Sequence, residues 1–245
     1  MTVLSNTARN PNLVQAETLQ ACTICGGRTF AQQEVLWPDL IRAWDLNPEE
    51  TRLINRQQGY LCQTCGANLR SMTLAGALME CFDWYGTLDV FITSPQARQA
   101  RFLEINPAGS LHQYLKRLPQ CQCLAFPQTD MQALDLPDDG VDYVVHSDTL
   151  EHVPDPVQGL RECRRVLRPN GCLLFTIPIV PTRLTRRRDG LAPCSHGSAQ
   201  DQPEDYRVIT EYGADFYLEL IQAGWKKISL YSLGTVASLA VIGIK

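Results

Sequence analysis

The sequence predicts an α/β chain in which a doubly wound, mostly parallel sheet follows a small module built on cysteines. Three observations carry this expectation. Two Cys-x-x-Cys pairs, CTICGG and CQTCGA, stand near the front. From about residue 100, short apolar runs alternate with segments of helical periodicity. CLLFTIP, residues 172–178, is the unbroken apolar run of a strand covered on both faces.

Composition sets the bounds. A chain of 245 residues holds one sizeable core and a small accessory module, and 44% hydrophobic with 20% charged residues is ordinary globular composition. Lys plus Arg is 22 against 26 Asp plus Glu, a net charge of −4, so no positive field draws the chain to nucleic acid or an anionic membrane. A small-molecule partner is expected instead. No window approaches the roughly eighteen apolar residues of a membrane span. Residues 1–20 lack a secretory pattern and read as a flexible start, so a cytoplasmic address is expected.

In chain order, Cys22 and Cys25 sit on one tight turn and Cys62 and Cys65 on another, each with a glycine behind the second cysteine. That spacing lets backbone N–H groups point at the sulfurs, and two such turns complete a tetrahedral zinc site. Four thiolates leave no position for water, which favours a structural zinc over a catalytic one. A nucleic-acid finger is disfavoured by charge, since residues 1–70 hold six Arg, no Lys and six acidic residues. A redox pair is the weaker alternative, because such a motif occurs once and within a βαβ pattern.

Between the pairs, Trp37, Leu40, Ile41 and Trp44 recur at helical spacing, and NPEE places Asn47 as a cap before a first-turn proline. SMTLAGALMECFDWYG reads as an amphipathic helix ending at Gly86. RFLEI, CQCLAF and DYVVHS are strand candidates, and SLHQYLKRL and PVQGLRECRRVL helices. GADFYLELIQAGW is a helix closed by Gly224, followed by the strands KKISLYS and VASLAVIGI.

Residues 130–178, from DMQALDLPDDG through HSDTLEHVPDP to RVLRPNGCLLFTIP, resemble the central block of class I S-adenosylmethionine-dependent methyltransferases. The usual run in that family is an Asp, a Leu-Pro before a turn, a Phe-Asp-hydrophobic strand, Leu-Glu-His, and an Arg-Val-Leu-Lys-Pro-Gly-Gly turn. The resemblance implies a Rossmann-like, seven-stranded sheet over 99–245, behind a zinc-ribbon-like module over 21–70 and a helical linker over 71–98. It implies S-adenosylmethionine as cofactor and an oxygen, nitrogen or carbon acceptor on a small metabolite or sugar. The alternative is a methyltransferase-fold domain that does not methylate and serves as a scaffold or carries another ligand in the same cleft.

By the same resemblance, Asp130 accepts from the adenine amino group, Met131 packs on the ring, and Ser147 lies beside the methionine part. LEINPAGSL, residues 103–111, is the first cofactor loop, with Glu104 at the strand end and Asn106 and Gly109 in the turn. Asn106, Ala108 and Ser110 stand where glycines are usual, and Pro107 donates no N–H. No acid precedes Asp130 to grip the ribose, which leaves Gln128 as an uncharged substitute. His152 is the candidate base, with a pKa suited to proton acceptance near neutrality. His196, Tyr206 and Arg207 fall in a long loop and are the acceptor-side candidates. Arg186 to Arg188 read as a solvated face or an anion contact, His146 as a satisfied core histidine, and His112 as an ordinary helical residue.

Overall fold

The computed structural model describes residues 19–195 and 207–245; His196 and Tyr206 therefore lie outside the described residues, as does most of the expected flexible start. In the front region β1 (Phe30–Gln32) and β2 (Tyr60–Cys62) pair antiparallel. Between them run α1 (Pro38–Ala43) and α2 (Pro48–Gly59). Asn47 caps α2 as its sequence predicts. Its Oδ1 accepts from the Glu49 and Glu50 N–H groups at 2.9 and 3.0 Å, and Glu50 Oε2 accepts from the Asn47 N–H at 2.9 Å.

The next helix, α3 (Leu69–Glu80), starts at Asn68, whose side chain accepts from the Ser71 N–H at 2.9 Å, and stops short of Gly86. It is buried on nearly every side rather than amphipathic. The reason is its position: it packs on the main sheet, while the first cysteine turn bonds to it through Thr23 Oγ1 and the Met72 carbonyl. A helix covered all round needs small and apolar residues throughout, and TLAGAL supplies them. At Gly76 a Cβ would lie 2.5 Å from the Tyr231 hydroxyl, so only glycine permits this approach.

Two short helices, α4 (Leu88–Phe91) and α5 (Pro95–Gln99), lead into β3 (Phe102–Ile105). The order then runs α6 (His112–Leu115), β4 (Cys121–Leu124), β5 (Val141–Ser147), α7 (Pro156–Val166) and β6 (Leu167–Thr176). Three short strands follow, β7 (Ile179–Val180), β8 (Arg186–Arg187) and β9 (Thr210–Gly213). The chain closes with α8 (Tyr217–Gln222), β10 (Lys227–Ser232) and β11 (Leu239–Ile244).

Among the described residues the main sheet has six strands in the order β10-β11-β6-β5-β3-β4, not the seven expected. Residues 125–140 between β4 and β5 form turns. A parallel crossover consumes a dozen or more residues by itself, so this connection has no length for another strand. β4, β3, β5 and β6 run parallel; β11 and β10 are antiparallel.

Both faces of the sheet are covered, as double winding requires. Phe102, Val145, Leu174 and Ile242 pack toward α3, while their chain neighbours Leu103, Val144, Leu173 and Val241 pack toward α7 and α8. This is the two-residue alternation of a pleated strand with an apolar layer on each side. The α3-side core also contains Cys22, Ile24, Tyr60, Cys62 and Leu69, so the front region shares one core with the sheet. A smaller core joins Leu40, Trp44 and Ile54 to Val180, Cys194 and Val208. It ties α1 and α2 to the sheet β7-β9-β8, whose strand β8 forms within the long loop read from the sequence only as a loop and whose other two strands flank it.

Candidate functional site

Four parallel strands bring their carboxyl ends to one edge, which in open α/β sheets is where ligands bind. The loop after β3 is closed on itself. The Asn106 N–H donates to the Leu124 carbonyl at 2.8 Å, Ala108 to Glu104 Oε1 at 2.8 Å, and Gly109 to the Pro107 carbonyl at 2.8 Å. Ser110 donates to Ser71 Oγ at 3.3 Å and Leu111 to the Ala108 carbonyl at 3.1 Å. Every amide hydrogen from Asn106 to Leu111 thus has an internal partner, Pro107 having none to give.

Asn106 takes a left-handed backbone, φ 55°, a conformation that glycine adopts without steric cost. Its side chain bridges two strand ends: Oδ1 accepts from the Phe126 N–H at 2.9 Å and Nδ2 donates to Thr149 Oγ1 at 3.3 Å. Ser147 Oγ lies 2.8 Å from Thr176 Oγ1, a link between the ends of β5 and β6. Glu104 is fully buried and its second oxygen meets His112 Nδ1 at 2.8 Å, so His112 is a paired residue of this edge and not an ordinary helical one.

The remaining cofactor candidates lie after β4. Gln128 and Asp130 are exposed. The Asp130 carboxylate accepts from the Gln132 backbone N–H at 2.8 Å and from its side-chain amide at 3.0 Å, a turn that presents the carboxylate outward. Met131 is buried and packs against α7, where a Cβ on Gly159 would lie 3.2 Å from Met131 Cγ. Two residues at this edge escaped the sequence reading. Arg70, from α3, pairs with Asp148 just after β5, and its buried Nε has no hydrogen-bond partner among the described residues. Phe126 exposes its ring at the end of β4. Neither has a local signal, because Arg70 sits among front-region residues and an exposed ring is invisible to periodicity.

After β5, His152 Nδ1 lies 2.9 Å from the Arg207 carbonyl. A carbonyl only accepts, so Nδ1 carries a hydrogen, and Nε2 lies 3.7 Å from Glu151 Oε1. His152 and Arg207 are thereby brought together. The Arg207 side chain is exposed and lines a small hollow with Arg188, Asp189, Leu191 and Pro193. The arginine run is not a plain solvated face: Arg188 is buried and, like Arg186, pairs with Glu211, while Arg187 donates to the Pro154 carbonyl at 2.7 Å. His146 is fully buried in the core, but neither ring nitrogen has a partner among the described residues.

The four cysteines of the front region converge. Cys22 Sγ lies 3.7 Å from Cys65 Sγ and Cys25 Sγ 3.7 Å from Cys62 Sγ, and all four sulfurs fall within 4.8 Å of one another. Sulfurs bound to one tetrahedral zinc at about 2.3 Å stand about 3.8 Å apart. Backbone N–H groups of Ile24 and Gly27 point at Cys22 and Cys25 sulfurs, each at 3.4 Å, and Gly26 and Gly66 take φ of 73° and 74° behind each pair. The Cys62 thiol falls to about 7: burial alone would raise it, but the Cys65 and Thr64 N–H groups and its cysteine neighbours outweigh that.

Residues 87–175 match the methyltransferase domain family. The domain covers β3 to nearly the end of β6, and with them Glu104, Asn106, Asp130, Ser147 and His152. A probable S-adenosylmethionine-dependent methyltransferase of Mycobacterium tuberculosis is 34% identical over 82 residues, 34% of this chain and 28% of the relative. One from Mycolicibacterium smegmatis is 41% identical over 58 residues, 22% of this chain and 23% of its own length. The chain therefore spans under a third of the length of these relatives. A solved S-adenosylmethionine-dependent methyltransferase of Thermotoga maritima, a possible histamine N-methyltransferase, is 14% identical with TM-score 0.38, over 64% of this chain and 86% of that one.

Proposed function

We propose that this chain transfers a methyl group from S-adenosylmethionine to a small-molecule acceptor, a metabolite or sugar. The observation that carries the reading is that the methyltransferase domain match, residues 87–175, supplies the carboxyl edge of four parallel strands. The residues there suit such a cofactor. The unpartnered Arg70 Nε is a buried donor for the carboxylate of an amino-acid moiety. The Asp130 carboxylate and the exposed Phe126 ring offer an acceptor and an apolar face for an adenosine. Because the loop amides are engaged internally, holding falls to these side chains and to Asn106 and Gln128.

S-adenosylmethionine supplies a methyl on a sulfonium, an electrophile with a good leaving group. The protein's main task is then orientation, a contribution of up to roughly 7–11 kcal/mol. His152, with Nδ1 held by the Arg207 carbonyl and Nε2 3.7 Å from the buried Glu151 carboxylate, is the residue placed to take the proton of a hydroxyl or ammonium acceptor. The sheet β7-β9-β8, backed by α1 and α2, walls this side and restricts it to a compact acceptor. The four front cysteines hold one structural zinc, a role that fits their tetrahedral spacing and closed coordination.

Calorimetry with S-adenosylmethionine and its demethylated product tests the reading. Heat of binding that falls at least about tenfold in affinity in Arg70→Gln and Asp130→Ala is expected, since each loses a charge-assisted bond of about 1.5–3 kcal/mol. No binding of either compound to the native protein overturns it. Incorporation of labelled methyl into a small-molecule fraction then identifies the acceptor.

A further inference from the structure

Cys123 lies outside the four-cysteine cluster. It is exposed on the edge strand β4, directly across from Glu104 on β3 in the parallel register. Residues paired in register share a sheet face. His112, at the start of α6, folds back over the same face and meets Glu104 Oε2 at 2.8 Å. One carboxylate oxygen, one imidazole nitrogen and one thiol sulfur therefore lie within 4.8 Å of one another.

We propose that Glu104, His112 and Cys123 form a second metal site, for a borderline divalent ion such as Zn2+ or Co2+. Sulfur beside nitrogen and oxygen selects these ions over Mg2+ or Ca2+. Two ligands of a tetrahedral centre with bonds near 2.1 Å stand about 3.4 Å apart. The 2.8 Å contact between Glu104 and His112 opens by about half an ångström for an ion to replace the shared proton, and His112, one-third exposed, has the freedom to move. Glu104 is held from behind, because its other oxygen accepts the Ala108 N–H at 2.8 Å, the outer-shell support usual for metal ligands. Binding releases the thiol proton and moves the His112 ring hydrogen from Nδ1 to Nε2. Three protein ligands leave one coordination position open to solvent, the arrangement of metal sites that bind a further molecule.

The test is titration of the full chain with Co2+ alone, followed by absorption of the thiolate-to-cobalt charge-transfer band. The difference between native protein and Cys123→Ser isolates this site from the four-cysteine cluster. Loss of one equivalent of charge-transfer intensity in Cys123→Ser is expected, with His112→Asn weakening the same equivalent at least about tenfold. Cys121→Ser, on the same strand, leaves it unchanged. As a measurement that needs no variant, Zn2+ slows alkylation of Cys123 in the native protein at least about tenfold when read by peptide mass spectrometry. Identical spectra for native protein and Cys123→Ser, with alkylation indifferent to Zn2+, overturn the proposal and leave the trio a hydrogen-bonded cluster only.

Discussion

Arg183, in the segment between β7 and β8, grips Glu50 of α2. Its Nε donates to Glu50 Oε1 at 2.7 Å, and the Thr182 hydroxyl donates to the same oxygen at 2.6 Å. Arg183 also donates to the Trp44 carbonyl at 2.8 Å, so one guanidinium ties both front helices to the segment between β7 and β8. Glu50 is 3% exposed. Burial alone would raise its pKa, but the bonds from Arg183 and Thr182 hold it at about 2, below the ordinary 4.5. A carboxylate lowered in the folded state contributes stability above pH 4.5 and loses it as pH falls toward 2. Denaturant unfolding from pH 7 to pH 3 is expected to cost the native protein roughly 1–2 kcal/mol more than Glu50→Gln, after allowance for screening. Equal acid slopes for the two proteins contradict the clamp.

The first cysteine turn is bonded into the rest of the molecule, so the zinc proposed there acts as a global stabiliser. The Leu88 and Asp89 N–H groups donate to the Thr23 and Ile24 carbonyls at 2.9 and 3.1 Å, and Cys22 and Cys62 belong to the α3-side core. Metal analysis is expected to find close to one zinc per chain at these sulfurs. Structural zinc in small modules contributes on the order of 10 kcal/mol, so chelation or Cys62→Ser lowers the melting temperature of the whole chain. A chelated protein that melts unchanged removes the zinc from this site.

Legibility in the sequence followed the range of the forces involved. The strands and α7 were readable because two-sided burial writes itself as apolar runs and helical periodicity, and the Asn47 box and the two Cys-x-x-Cys turns because their bonds span two or three residues. What stayed hidden depends on distant partners. Glu211 pairs with Arg186 and Arg188 across two strands, Arg183 with Glu50 over more than a hundred residues, and Cys123 faces Glu104 only through strand register. The missing strand was hidden for another reason: a family pattern predicts it, while the short connection over 125–140 excludes it.

Asn106 separates backbone cost from side-chain cost. Its φ of 55° disfavours any residue with an ordinary Cβ by about 1–2 kcal/mol, and its amide makes two bonds of about 1 kcal/mol each. Asn106→Gly loses the bonds but keeps the backbone free, whereas Asn106→Ala loses both. Urea unfolding is expected to order the three proteins as native, then Asn106→Gly, then Asn106→Ala, with about 1 kcal/mol or more between the two variants. Equal stability of the two variants means the left-handed conformation is not required for folding.

His146 makes the opposite kind of prediction, a core polar residue whose removal strengthens the fold. Its ring stacks on Phe175 at 4.7 Å with 14° between planes, and neither nitrogen has a partner among the described residues. Burial drives its pKa from 6.5 down to about 3, opposed only by Glu151. As pH falls, the unfolded chain takes up the proton first, so stability present above pH 6.5 is lost progressively toward pH 3. By pH 5 the loss reaches about 2 kcal/mol. His146→Phe keeps the stack and removes buried polar atoms that cost about 1–3 kcal/mol when unpaired. The variant is expected to be about 1 kcal/mol more stable than native at pH 7 and to show a flatter decline between pH 6.5 and 5. Greater stability rules out a bonded imidazole. A variant that folds but is less stable means a His146 nitrogen is bonded in solution.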